Sequence, residues 1–419
     1  MKNLAAYPSW MPRLAALLLV IYPSLMLTVR GGMNGVFIVT LAIALYAWPF
    51  KVLEGGLFTR REIQHYVLAM VGLTIATFIS ESYWQQYSGR SYDAIGRYWL
   101  AIPVFFWLSH MHSRVFRALE YAFPLAAIVG ALLTDMMWGR FGISTLDLIH
   151  FGDIELILGV LSLFSINWFG RDRMILKIVK VVGFAVGIVA SFESGSRGGW
   201  LAMPLLLIIF FYFNRQRWSI GGMLAGLLLT IAGMVGLYTF SYMVNLRVDQ
   251  MISDIKYYQE GNLDTSVGIR WQLYGAAVEI FSEHPIVGVG PNGFAQQMQP
   301  MQEAGRLTPE AANIGQGEVH NDILSKTAGM GLFGLIAILA LYAIPFRMFW
   351  KATLASSRPV RRAGILGITF VCSIGTFGLT VEFLNLTMAA AFYSFTVAVL
   401  LAACNSMHAE AAAKERASA

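Results

Sequence analysis

Charge is scarce in this chain. Asp, Glu, Lys and Arg make up 13% of its 419 residues and hydrophobic residues 57%, whereas soluble domains carry roughly 25% charge. An ordinary soluble globular protein is excluded on that ground. Cysteine is scarcer still: Cys372 and Cys404 both fall within or at the end of apolar runs, so neither a disulfide framework nor a thiolate metal site is expected. His, Cys and Asp do not cluster at metal-ligand spacing. The glycines of 288–293 do not follow a strand into a helix, as a nucleotide fingerprint requires. Internal repeats and low-complexity linkers are missing as well. The 30 Lys and Arg residues exceed the 24 Asp and Glu, but they are spread over short loops rather than gathered on one face, which argues against nucleic-acid binding.

What the chain does have is long apolar runs. A transmembrane helix takes about 20 mostly apolar residues. Twelve candidate stretches are present, at 14–29, 36–53, 63–80, 94–109, 119–137, 154–169, 175–191, 200–213, 220–241, 323–345, 364–381 and 386–403. The expected fold is an all-α polytopic membrane protein of about 12 transmembrane helices. Residues 1–241 hold the first nine, 242–319 form a long polar insert, 320–404 hold the last three, and 405–419 form a cytoplasmic tail whose Ala-rich end, 408–419, is expected to be disordered. The first stretch follows Lys2 and Arg13 without a small-residue cleavage site, so it reads as a retained helix rather than a signal peptide.

Orientation follows from the basic residues. Lys51, Arg60, Arg61, Arg114, Arg117, Arg171, Arg173, Lys177, Lys180, Arg215, Arg217, Arg347, Lys351, Arg358, Arg361, Arg362, Lys414 and Arg416 fall on alternate connections. The positive-inside rule then puts both termini in the cytoplasm. The insert faces outward, toward the periplasm in a bacterium.

Two amphipathic helices are expected on the insert. One covers 246–259, with Val248, Met251, Ile252 and Ile255 on one side. The other is capped by Ser266 and runs to about 282, with Trp271, Tyr274, Val278 and Phe281 apolar at helical spacing. The segment from His284 to Gly293 reads as a turn-laden loop.

Three outer positions can carry chemistry. Arg197 lies in Phe192-Glu-Ser-Gly-Ser-Arg-Gly-Gly-Trp200, where a tight turn opens onto a helix start. Such a start attracts anions and an Arg adds a bidentate fork; the alternative is a plain turn with Arg197 paired to Glu193. Arg270 shares its helix face with Val267, Tyr274 and Ala277. An Arg there needs an anion or a carboxylate, and Glu279, Glu283 or Asp264 could supply the latter. His320, in Glu318-Val-His-Asn-Asp322, can act as a general base with its tautomer held by Glu318 or Asp322, or can simply occupy the interface. His150 and His284 are weaker outer candidates, and His65, His110, His112 and His408 lie on the cytoplasmic side. Asp153 and Glu155 form one close acidic pair, a weak divalent-cation candidate. Arg90, Arg140 and Glu382 could line the same outer cavity.

Nearly the whole chain resembles the bacterial O-antigen ligases, within a superfamily that includes O-antigen polymerases and protein O-oligosaccharyltransferases. The resemblance rests on the span pattern, the Ser194-Gly-Ser-Arg197-Gly-Gly turn, the Arg270 helix followed by His284-Pro-x-x-Gly-x-Gly290, His320-Asn321 opening the next span, and Gly329-Met-Gly331 within it. It implies a C-type glycosyltransferase architecture. It also implies inverting transfer of O-antigen from undecaprenyl pyrophosphate to lipid A–core, without metal, nucleotide or other cofactor. Arg197 and Arg270 would then grip the pyrophosphate and His320 would act on the acceptor hydroxyl. Ser194, Ser196, Tyr274 and Asn321 would position substrate. The partners expected are the lipid-linked donor, the lipid A–core acceptor and membrane lipids.

Other readings remain. Polymerases commonly carry a second large loop around the first Arg, and 192–199 is short here, which favours a ligase. Protein O-oligosaccharyltransferases commonly add a sizeable soluble C-terminal part. A lipid-linked-glycan flippase would bind at mid-membrane through intramembrane charges, where Arg97 and Lys326 are the main candidates.

Overall fold

Each of the twelve apolar stretches overlaps a helix in the computed structural model, which describes residues 7–47, 51–137, 146–215 and 219–418. Lys2, Arg140, Arg217 and residues 48–50 of the second stretch lie outside the described residues. The membrane region begins with α1 (Trp10–Thr28), α2 (Gly32–Ala47), α3 (Arg60–Trp84), α4 (Ser91–Ser109), α5 (Leu119–Met137), α6 (Leu148–Phe164) and α7 (Met174–Glu193). It continues with the one-turn α8 (Arg197–Trp200), α9 (Ala202–Asn214) and α10 (Ile220–Phe240). The insert contributes α11 (Tyr242–Gln259), α12 (Ser266–Glu283), α13 (Gly293–Glu303) and α14 (Pro309–Gly315). The chain then forms α15 (Asp322–Thr353), α16 (Arg358–Phe377) and α17 (Thr387–Ser418). Among the described residues there is no strand, and nine helices are long and apolar enough to cross a membrane. α2 and α6, at 16 and 17 residues, and α4, which carries Asp93 and Arg97, are not among them.

α17 is the central post. Its side chains are buried without a break from Ala389 to Met407, and it packs against α4 and α16. Its far end is not a disordered tail, because the helix continues to Ser418 and makes tertiary bonds. Asn405 accepts from the Phe58 amide at 3.4 Å, and Glu410 accepts from both the amide and the hydroxyl of Ser113 at 2.7 Å. α10, by contrast, buries none of its described residues and leaves most of them exposed, as a helix facing lipid does.

Lys180 is not a loop cation. It is fully buried in α7, where its ammonium meets Glu120 at 2.8 Å, Asp172 at 2.9 Å and the Ser165 carbonyl at 2.9 Å. Breaking such a group leaves buried charges uncompensated, so Lys180→Met is expected to cost about 3–5 kcal/mol. Thermal unfolding in detergent would show it, and an unchanged midpoint would mean the triad is solvated.

α15 is broken at Gly331, whose φ of 59° and ψ of −144° lie outside the helical region. The break is filled by the 285–290 loop. The Val289 amide donates to Ala328 O at 3.1 Å, Gly290 to Gly329 O at 2.9 Å, and Leu332 to Pro285 O at 2.8 Å. Ser80 and Trp84 of α3 clamp the same loop through the carbonyls of Val287 and Gly288, at 2.7 and 2.9 Å. The two glycine motifs are thus two halves of one backbone junction. Interrupted backbone inside a membrane span survives only where its polar groups find partners.

The insert has a small core of its own, in which Leu273, Ala277 and Ile280 of α12 meet Met298 of α13 and Ala311 of α14. The α12 cap is Thr265, whose hydroxyl accepts from the Gly268 amide at 3.1 Å, and not Ser266. Trp271 and Val278 face outward rather than into this core. α12 is apolar on both sides, so its periodicity did not identify the packed face.

Candidate active site

α12, the α7–α8 turn and the segment that opens α15 bring their charged side chains within electrostatic reach of one another. Arg270 projects from α12 and is half-buried. Its terminal nitrogen reaches Ser266 Oγ at 3.5 Å, and its Nε is buried with no hydrogen-bond partner among the described residues. Glu279, Glu283 and Asp264 do not pair with it; Glu279 instead takes Arg306. Burial, and then the positive charge of Arg197, hold the Arg270 guanidinium below its usual range, while Tyr274, Glu318 and Asp254 oppose that shift. These five side chains therefore share one electrostatic neighbourhood, in which two arginines stand beside two carboxylates and a phenol.

Arg197 opens α8 and pairs with Asp254 of α11 at 3.0 Å, not with Glu193. Glu193 instead accepts from Ser241. A further arginine, Arg247, shares the α11 face of Asp254, seven residues before it. It packs so closely on the Ser194–Arg197 turn that a Cβ on Gly195 would lie 2.5 Å from its Nε. That Nε is also buried and unpartnered among the described residues, and the guanidinium bonds only Gln250, at 3.1 Å. Sequence reasoning missed Arg247 and Asp254. Their spacing of seven, which puts both on one helix face, was the available signal.

The Ser194 and Ser196 side chains turn inward. Ser194 Oγ donates to Ser191 O at 2.7 Å and accepts from the Ser196 amide, and Ser196 Oγ donates to Asp153 Oδ1 at 2.9 Å. Both hydroxyls shape the turn that presents Arg197. Asp153 is committed to this contact. Glu155 points elsewhere, toward Gly130 of α5, because residues two apart on a helix do not share a face. The acidic pair therefore makes no cation site.

His320 sits at φ 62°, a left-handed conformation that non-glycine residues seldom adopt. Several bonds hold it there. Tyr274 shares its hydroxyl between the carbonyls of His320 and Leu379, at 3.0 and 2.8 Å. Asn321 caps α15 by accepting from the amides of Ile323 and Leu324, both at 3.0 Å, and donates to Leu379 O at 3.3 Å. The ring Nδ1 lies 2.7 Å from Glu318 Oε1. The two groups face each other closely, although the ring N–H is not well aligned on the carboxylate. Burial pushes the Glu318 carboxyl up, but bonding and charge from His320, with the Glu382 amide, outweigh it and hold it below the usual range. Glu318 is thus ionised at neutral pH. Glu382 accepts from the Val319 amide and from Ser325 Oγ, tying this segment to the loop after α16.

Of the remaining candidates, His150 interacts electrostatically with Glu318. His284 packs edge-on against Trp84. His150 bonds Asp147 through Nδ1 at 2.7 Å and stacks on Phe383. Arg97 bonds Asn34 at 3.2 Å. Arg90 and Lys326 line a separate cavity.

A family model described as O-antigen ligase matches residues 182–339, the stretch that holds Arg197, Arg247, Arg270, His320 and the Gly331 break. An uncharacterised protein of Haemophilus influenzae is 24% identical over 228 residues, which is 54% of this chain and 57% of that protein. An O-antigen ligase of Escherichia coli K12 is 23% identical over 175 residues, 41% of each chain. The chain spans about half the length of the curated relatives it matches.

Proposed function

We propose that this chain, whose residues 182–339 match the O-antigen ligase family model, transfers O-antigen from undecaprenyl pyrophosphate to lipid A–core oligosaccharide on the outer face of the inner membrane. The observation that carries this reading is the convergence of Arg197 and Arg270 beside the Glu318–His320 pair, with a buried Arg270 Nε that has no hydrogen-bond partner among the described residues. Such a site is completed by an anion. An apolar groove of about 470 Å³ between α6, α7, α9 and α10 rises past Phe184, Met203 and Leu237 to Phe192, two residues before the Ser194 turn. A polyprenyl tail lying there would deliver its pyrophosphate to the arginines. The basic loops on the opposite face support an outward-facing site.

In the reaction, the acceptor hydroxyl oxygen attacks the anomeric carbon from the face opposite the pyrophosphate, and the bond to the pyrophosphate oxygen breaks. Undecaprenyl pyrophosphate leaves with the electron pair, and Arg197 and Arg270 stabilise the charge that develops on it. The hydroxyl proton passes to His320 Nε2. Glu318 at Nδ1 orients the ring and stabilises the imidazolium. Attack opposite the leaving group inverts the anomeric centre.

Purified protein reconstituted with lipid-linked O-antigen and lipid A–core, with chelator present, should yield ladder-bearing lipopolysaccharide. Longer lipid-linked glycan without transfer to the core would make it a polymerase instead. Arg270→Ala is expected to lower turnover about 10²–10³-fold, the usual cost of losing one preorganised charge-stabilising donor. Arg270→Lys should recover only part, because an ammonium offers no fork. Wild-type turnover in Arg270→Ala would remove that residue from the mechanism.

A further inference from the structure

A second cavity of about 320 Å³ opens between α3, α4, the 291–292 turn and the start of α15, within the range of about 300–1,000 Å³ usual for small-ligand sites. None of its lining residues belongs to α8, α11 or α12, the elements that carry the arginines of the first site. The wall is polar where the first groove is apolar: Arg90, Ser91, Asp93, Asn292, Lys326 and Asn385 face it. Lys326 bonds only the neutral Asn385, at 3.2 Å, and Asn292 donates to Ser91 at 3.3 Å. Neither Arg90 nor Lys326 makes an ion pair among the described residues. Two cations therefore face the space beside one lining carboxylate, Asp93, while Lys326 also interacts with the carboxylates of Asp322 and Glu382 behind the wall.

The chemistry of this wall narrows what it can hold. No aromatic ring lines it, so a nucleobase or an indole finds no platform. Its polar lining does not suit an acyl chain. Asn, Ser and Asp side chains alternate donors with acceptors, as sugar hydroxyls require, and the two cations suit a phosphate. The cavity also adjoins the catalytic segment. Ser325, on its wall, donates to Glu382 at 2.8 Å; Glu382 accepts from the Val319 amide, and its own amide meets Glu318 at 3.4 Å. A ligand here is thus linked through Ser325 and Glu382 to Glu318 and His320. The wall itself is rigid, because Gly329 and Met330 belong to the locked break in α15.

From this we infer that the cavity binds a phosphate-bearing sugar of the acceptor, held by Arg90 and Lys326, so that donor and acceptor reach His320 from different elements. The inference rests on the glycosyltransferase reading, but its test does not depend on turnover. Native mass spectrometry of the full chain in detergent would measure binding of bisphosphorylated lipid A, the same lipid after phosphatase treatment, phosphorylated core oligosaccharide, phosphatidylglycerol and undecaprenyl pyrophosphate. The variants are Arg90→Gln, Lys326→Gln and Arg90→Lys. Arg90 is exposed, so its variants keep the fold even if Lys326→Gln does not.

Arg90→Gln is expected to weaken binding of a phosphorylated saccharide about tenfold, the worth of one charged hydrogen bond. It should leave the dephosphorylated lipid and undecaprenyl pyrophosphate unaffected, and Arg90→Lys should recover part. Sensitivity with lipid A alone, or with core oligosaccharide alone, tells which carries the bound phosphate; either supports the inference. Equal binding of both phosphorylated probes by wild type and Arg90→Gln would overturn it, as would equal displacement by phosphatidylglycerol, which would make this an ordinary headgroup site. A wild type that binds in this pattern yet forms no product would fail the reaction while keeping the binding site.

Discussion

His320→Ala is expected to lower glycan transfer by about 10²–10⁴-fold, the contribution of a positioned general base, while undecaprenyl pyrophosphate still binds. The expectation rests on how much structure is spent on one residue. A left-handed backbone at a non-glycine position costs about 1–3 kcal/mol and persists only where its surroundings over-determine it. Here the Tyr274 hydroxyl holds the carbonyl, the Asn321 cap fixes the next residue, and Glu318 takes the ring at 2.7 Å. A histidine present only to fill the interface would not need this arrangement. Alanine shares the backbone penalty, so the decisive control is His320→Gly, which relieves the φ of 62° and removes the imidazole. Both variants should be equally inactive, with the glycine form at least as stable as wild type. Transfer restored in His320→Gly would assign the alanine defect to backbone strain and would remove the base from the mechanism. Retained donor binding in both separates this site from a flippase, which has no use for a base.

The charged residues of the site were legible because the chain is so apolar. Arg197, Arg270 and His320 stand out where uncompensated polarity is costly, and the structure brings their neighbourhoods together. Helix positions were legible for the same reason: a span must satisfy its own backbone, so length and hydropathy nearly define it. Packing partners were not. Lys180 looked like one more loop cation because its two carboxylates, Glu120 and Asp172, lie 60 and 8 residues away in sequence. Arg197 was offered Glu193 by proximity and takes Asp254 instead. Glu193 and Asp254 are equally good anions, and only the path of α11 over the turn decides between them. Thr265 and Ser266 are both competent caps, and the choice depends on where the chain leaves the Gly261 turn. The acidic pair at 153 and 155 failed for a reason available beforehand, since i and i+2 diverge on a helix.

The junction between the two glycine motifs carries the second large effect. Gly331→Ala should unfold or severely destabilise the protein. Its φ and ψ suit glycine alone, and an added Cβ would lie 2.4 Å from the Ile286 carbonyl carbon, a backbone atom that cannot swing aside. Gly288→Ala attacks the same contact from the other side, with its Cβ 2.4 Å from the Gly329 carbonyl carbon. Either change must push the loop off α15 and strand the carbonyls of Pro285, Ala328 and Gly329, which now accept at 2.8–3.1 Å. Strain of about 1–3 kcal/mol adds to desolvated carbonyls at about 1–3 kcal/mol each. Together these rival a typical stability of about 5–15 kcal/mol. Gly275→Ala supplies the contrast: that glycine lies within α12 with nothing within 4 Å of its Cβ, so alanine should be neutral or stabilising by up to about 1 kcal/mol. Thermal unfolding in detergent, followed by size exclusion, compares the three. A Gly331→Ala protein as stable as wild type would mean that the loop is not pinned to the break. The wall shared by His320 and the second cavity would then have to be held by Glu382 and Asp322, which bond Val319, Ser325 and Leu384 across the same segment.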